Sequence, residues 1–212
     1  GFIFGSVKAN PWWSTVLMPV IFLFSAMVSG IALVMVVYLI ISYIRKMKVD
    51  MKCLDMIGRY LLIALILDFS LESLDQIHRI YEAEESFEII SLLMSGQLTY
   101  TLLVFQVLLG TIIPLIVLTI LQFYKKNIRL RQTLYMVVGF IVLIGIFFMR
   151  WNIVIGGQLF SKSFHGFTSF KLQLIGSEGI LMAGLWLIIP IFILAFLLWL
   201  FPPWKKTEET AY

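Results

Sequence analysis

The sequence predicts an all-α, polytopic transmembrane helix bundle, and three observations predict it. Of its 212 residues 61% are apolar and only 13% are charged, where a water-facing surface needs roughly 25%. Mean hydropathy is +1.00. Runs 16–44, 98–124 and 179–204 contain no charged residue, and each is longer than the roughly 20 residues that cross a bilayer as a helix. A soluble globular protein is thereby excluded. In lipid only helices and closed barrels satisfy their backbone, and such long apolar runs lack the short alternating strands of a barrel.

Five spans follow in order, in one transmembrane domain over 1–212. The first, about 14–44, comes after Trp12 and Trp13 and ends at a basic cluster. The second, about 57–81, is apolar over its first half and acidic over its second. The third, 97–124, and the fifth, 177–201, are almost entirely apolar, and the fourth, 132–149, ends at Arg150. Trp12, Trp13, Tyr81, Trp151, Trp199 and Trp204 fall near span ends, where amphipathic rings sit at the headgroup level. Pro19, Pro114 and Pro190 fall inside spans and predict kinks.

Orientation follows from the basic residues of alternate loops. Eleven Lys and Arg, among them Arg45, Lys46, Lys48, Lys52, Lys125, Lys126, Arg129 and Arg131, fall on one side, and five on the other. The first side is expected in the cytoplasm, with the N-terminus of this chain outside and its C-terminus inside. An outside start without a signal peptide implies an odd number of spans before Gly1 in a longer parent. The net charge of +4 thus reports topology and not nucleic-acid binding. A single cysteine, Cys53, allows no internal disulfide, and no CxxC or Cys/His cluster offers an iron–sulfur, zinc or haem site. A haem between His78 and His165 would need two separate elements to converge. Any metal redox centre is expected on a partner.

The second span holds the strongest anomaly. Asp68, Glu72, Asp75 and Arg79 are spaced so that, at 100° per residue, they fall within about 60° of one another. Ionisable groups in a span cost several kcal/mol on insertion and belong on an interior or water-lined face. Asp68 lies roughly 16 Å from the start of the span, near midplane, while Asp75 and His78 approach the outer surface. An imidazole titrates near neutrality, so Asp68, Glu72, Asp75 and His78 form a candidate proton path. The bland alternative is a solvated helix end with Asp75 and Arg79 paired across one turn.

The third span offers Gln97, Thr99, Tyr100 and Gln106, which either bond a ligand carbonyl or tie helices together. After the fourth span, Arg150, Asn152 and Gln158 put a cation and amide donors beside the acidic row, with the glycines Gly156 and Gly157 read as a turn. Arg150 is a candidate counter-ion for Asp75 or for Glu178. Together with Tyr100, these residues suit a quinone, whose two carbonyls need donors and whose reduction consumes two protons.

The segment Asn10-Pro11-Trp12-Trp13-Ser14-Thr15, continuing to Gly30, and the segment Arg150-Trp151-Asn152-Ile153-Val154-Ile155-Gly156-Gly157-Gln158 resemble the NrfD/polysulfide-reductase membrane-subunit family. The likeness points to the C-terminal half of the ten-helix branch, which includes the membrane subunit of the type 2 hydrogenase. It implies a subunit without its own redox centre that binds menaquinone or ubiquinone near the outer face. It further implies exchange of electrons with a ferredoxin-like iron–sulfur subunit, an N-terminal half that completes the fold, and a bacterial or archaeal inner membrane. Proton translocation is a further implied option. Two other classes compete: an ion-coupled transporter built on the same acidic helix, and a structural anchor.

Overall fold

The computed structural model describes residues 1–6, 13, 15–82, 100–123, 127–159 and 180–201. Every regular element among them is helical: α1 (Phe2–Ser6), α2 (Met18–Ile44), α3 (Met51–Glu82), α4 (Tyr100–Phe123), α5 (Ile128–Leu159) and α6 (Ile180–Leu200). Among the described residues, α2, α4 and residues 128–155 of α5 are long and apolar enough to cross a membrane. The 32 residues of α3 give it the length, but its acids and basic start lower its apolarity. The all-α membrane architecture expected from composition is therefore present. The chain divides into two compact units, 1–168 and 169–212. The second contributes α6, which carries Pro190 in its interior.

In the first unit local chemistry sets each helix end. Pro19 occupies the first turn of α2, where its missing N–H has no helical acceptor to lose, so it starts the helix rather than kinking it. At the other end Met47 N–H reaches Ser42 O at 3.0 Å and Lys46 N–H reaches Tyr43 O at 3.2 Å. This is a Schellman turn with Lys46 at φ 54°, the left-handed position where glycine is usual and a side chain costs about 1 kcal/mol. Asp50 then caps α3, its Oδ1 accepting from Lys52 N–H at 2.8 Å. The hydroxyl of Tyr38 accepts from Asp50 N–H at 2.9 Å and closes the hairpin.

The first half of α4, Tyr100–Ile112, is π-helical, and its second half, Ile113–Phe123, is α-helical. A π-helix hydrogen-bonds five residues back, and Pro114, with no N–H to give, stands where the pattern changes. This half of α4 lies against α5 at a paired-glycine crossing. A Cβ on either Gly110 or Gly145 would collide with the other's backbone, so only glycine allows the approach. Asn127 caps α5, with its Oδ1 taking Leu130 N–H at 3.3 Å.

The main core joins Ala32, Met35 and Leu39 of α2, Leu54, Leu61 and Leu65 of α3, Leu118 and Leu121 of α4, and Tyr135, Val138 and Val142 of α5. A smaller cluster of Met18, Ile21, Met149 and Ile153 sits toward the other end, with Trp13 and Leu71 against it. Between them these clusters fix where the acidic half of α3 stands. At the opposite end of that helix Asp55 accepts from the guanidinium of Arg131 and, at 3.0 Å, from the hydroxyl of Tyr135. That pairing gives a carboxylate partner to an arginine only 4% exposed, whose Nε is left without a hydrogen bond among the described residues.

Candidate functional site

The acidic row on α3 faces inward as its spacing requires. Asp68 and Asp75 are 2% and 4% exposed, and Arg79 is 2% exposed. Asp75 Oδ2 accepts from Arg79 Nε at 2.8 Å, across one helical turn. Asp75 Oδ1 and Asp68 Oδ1 are buried with no hydrogen-bond partner among the described residues.

Glu72, between them, ends a chain of hydrogen bonds that crosses three helices. Its Oε2 accepts from Gln106 Nε2 at 3.2 Å, Gln106 Oε1 accepts from Asn152 Nδ2 at 2.9 Å, and Asn152 Oδ1 accepts from the Thr101 hydroxyl at 2.8 Å. Each amide is oriented by this pattern, because its oxygen accepts on one side while its nitrogen donates on the other. The π-helical winding of α4 supports both Thr101 and Gln106, which are five residues apart and so fall near one face where a helix has more than four residues per turn.

Beside the chain lies a cavity of about 360 Å³, within the range of small-molecule sites. Its walls are mostly apolar, with Met18, Ile21, Leu103 and Met149 among them. Glu72, Asp75 and Asn152 contribute polar atoms, joined by Ser73, Gln76 and Gln106.

The two segments that carried the family resemblance meet at the edge of this site. Trp13 donates its indole N–H to the carbonyl of Ile153 at 2.8 Å, and its ring occupies the space that a Cβ on Gly157 would fill. Helix α5 runs on through Leu159, so Gly156 and Gly157 do not turn the chain as their pairing suggested. Gly157 is a seat for an aromatic ring. One turn before this glycine pair, Asn152 is 1% exposed and faces α4.

Other expectations are corrected. The counter-ion of Asp75 is Arg79 of its own helix and not Arg150, since four residues is the spacing at which helix neighbours meet. Arg150 instead stands in the field of Asp68, and its Nε has no hydrogen-bond partner among the described residues. Neither Asp68 nor Arg150 lines the cavity, although both stand beside groups that do. His78 is exposed and does not line the cavity, and Tyr100 is 72% exposed at the start of α4. The side chain of Gln158 and the whole of Glu178 lie outside the described residues.

Sequence reasoning left Gln106 as either a ligand donor or a helix tie and did not single out Thr101; together they bridge the acid to Asn152. The signal available was a lone amide in the middle of an uncharged run. It also read Trp13 as an interface anchor only. Among the described residues no group of three or more His, Cys, Asp or Glu is placed to hold a metal.

The model of the family described as polysulphide reductase, NrfD, matches residues 1–162, more than half of the chain and all of the helices that build this site. The chain belongs to the NrfD family. NrfD proteins are membrane subunits of quinone-interacting redox complexes and work with iron–sulfur subunits. No curated protein and no solved structure matches the chain.

Proposed function

We propose that this NrfD chain supplies a quinone-reactive site of a respiratory membrane complex, and that the cavity beside Glu72 receives the quinone head. One observation carries this reading. A mostly apolar cavity of about 360 Å³ contains a carboxylate, Glu72, held at the end of a hydrogen-bonded chain through Gln106, Asn152 and Thr101. An apolar ring with two carbonyls needs such a combination: dispersion contacts on its faces, and one edge with donors and a proton carrier.

The residues present fit that ligand. Gln76 and Ser73 line the cavity and offer N–H and O–H groups to a carbonyl. Glu72 and Asp75 line it as proton carriers. The unpartnered oxygen of Asp75, a residue of the cavity wall, leaves acceptor capacity there. When bound, a quinone supplies two-electron chemistry with uptake or release of two protons. This chain's part is to hold the head, exclude bulk water and move protons along α3. Asp68, Glu72 and Asp75 form that route on one helix face, and Arg150 balances charge at its inner end.

In this reading the partner is a ferredoxin-like iron–sulfur subunit, the ligand is menaquinone or ubiquinone, and the acidic end of α3 faces away from the cytoplasm. Further redox subunits and an N-terminal half of the same subunit complete the complex, in a bacterial or archaeal cytoplasmic membrane. Neutralising Glu72 tests the assignment. Complexes carrying Glu72→Gln are expected to assemble with their iron–sulfur subunit and to lose at least tenfold in quinone turnover. Turnover within twofold of the unaltered complex would contradict it.

A further inference from the structure

A second cavity, of about 650 Å³, opens at the opposite end of the bundle from the Glu72 site, between the α2–α3 turn and the start of α5. Three cations line it, Lys46, Lys48 and Arg129, and no Asp or Glu does. The nearby acids are committed elsewhere: Asp50 caps α3, and Asp55 holds Arg131 and Tyr135. Leu39, Val49 and Met136 make the remainder of the wall apolar.

Two of these cations are placed against local preference. Arg129 is in the first turn of α5, the positive end of the helix dipole, and that turn contains no acid to offset it. Lys46 holds the left-handed position that glycine fills at lower cost. The basic-loop bias puts positive charge on this side of the bundle and the α2 dipole favours a cation at its C-terminus, but neither calls for a side chain at the left-handed position or for a cation at the start of α5; an anion seated among them accounts for both placements.

We propose that this cavity binds the phosphate headgroup of an anionic glycerophospholipid, with its acyl chains along the apolar wall. Position favours a lipid over a free anion. The cavity sits where α2 ends and α5 begins, the level at which headgroups lie, and its wall continues into the apolar surface of two spans. Lys46, Lys48 and Arg129 supply point charges and a planar fork for the phosphate oxygens, and the amide of Gln132 adds a donor.

The test is retention of phosphatidylglycerol by the purified complex in detergent, measured by native mass spectrometry. Phosphatidylethanolamine and inorganic phosphate serve as competing probes. Each cation removed is expected to weaken retention about fivefold, so Lys46→Gly with Arg129→Gln gives roughly a 25-fold loss. Lys46→Gly also relieves the strained turn, so a loss of lipid without a loss of thermal stability separates binding from folding. Arg59→Gln, an exposed cation outside the cavity, is expected to leave retention unchanged. Equal retention of the zwitterionic lipid, displacement by millimolar phosphate, or equal losses in Arg59→Gln would overturn the proposal.

Discussion

Replacing Gln106 by leucine keeps the approximate volume and removes the middle of the chain that ends on Glu72. Two hydrogen bonds disappear, the one given to Glu72 at 3.2 Å and the one taken from Asn152 at 2.9 Å. Between membrane helices each is worth about 0.6 kcal/mol on average and at most about 1.7. Orphaning the Asn152 amide, 1% exposed, adds about 1–3 kcal/mol for a buried group without a partner. The expected loss is about 2–4 kcal/mol, which corresponds to roughly a 30- to 900-fold fall in kcat/KM for quinol when the chain positions the acid in the transition state. Steady-state turnover of the intact complex measures it, with the iron–sulfur subunit content as the control for assembly. Asn152→Leu removes the same Gln106–Asn152 bond, so the double variant is expected to fall short of the summed effects by about 0.6–1.7 kcal/mol. Additivity within about 0.3 kcal/mol, or a Gln106→Leu complex within twofold of the parent, would refute the chain as a functional unit.

Three structural predictions accompany it, each read from unfolding in detergent. Gly145→Ala drives a methyl into the backbone of Gly110 and is expected to cost about 1–3 kcal/mol, whereas Gly30→Ala meets nothing within 4 Å and is expected to be neutral or up to about 1 kcal/mol stabilising. Equal effects of the two would show that the glycine crossing does not exist. Trp13→Phe keeps an aromatic ring over Gly157 but removes the N–H to Ile153, and about 1 kcal/mol should be lost; no change would deny that contact. Asp55→Leu leaves Arg131 buried without its carboxylate and is expected to cost about 3 kcal/mol, most of which Arg131→Met in the same chain should restore. Failure of that rescue would mean that the pair is not what Asp55 stabilises.

Much of the site was legible because membranes penalise charge so heavily. Three acids at offsets of four and seven residues had to share a protected face, and Asp68 and Asp75 are both buried there. His78, ten residues beyond Asp68, is rotated roughly 80° from it, and that rotation takes it off the row into an exposed position. The partner of Asp75 was legible only as one of two choices, and proximity within a helix decided for Arg79 over Arg150. The π-helical winding over Tyr100–Ile112 has no signature in composition, since it shifts each hydrogen bond by one residue. For that reason Gln106 looked like an ordinary interhelical tie. Gly156 and Gly157 carried a turn signal, yet tertiary packing of Trp13 against Gly157 overrode it and let α5 continue. Sequence also brought both family segments into view without showing that they touch.

Photolabelling of the intact complex with an azidoquinone, followed by peptide mapping, tests the central claim most directly. The account predicts quinone-protected labels on the cavity walls, within 69–80 of α3, 102–107 of α4 and 149–153 of α5, and their loss in Glu72→Gln. Labels confined to other subunits or to residues away from the cavity wall, with Met18, Ile21 and those three stretches unmodified, would contradict it.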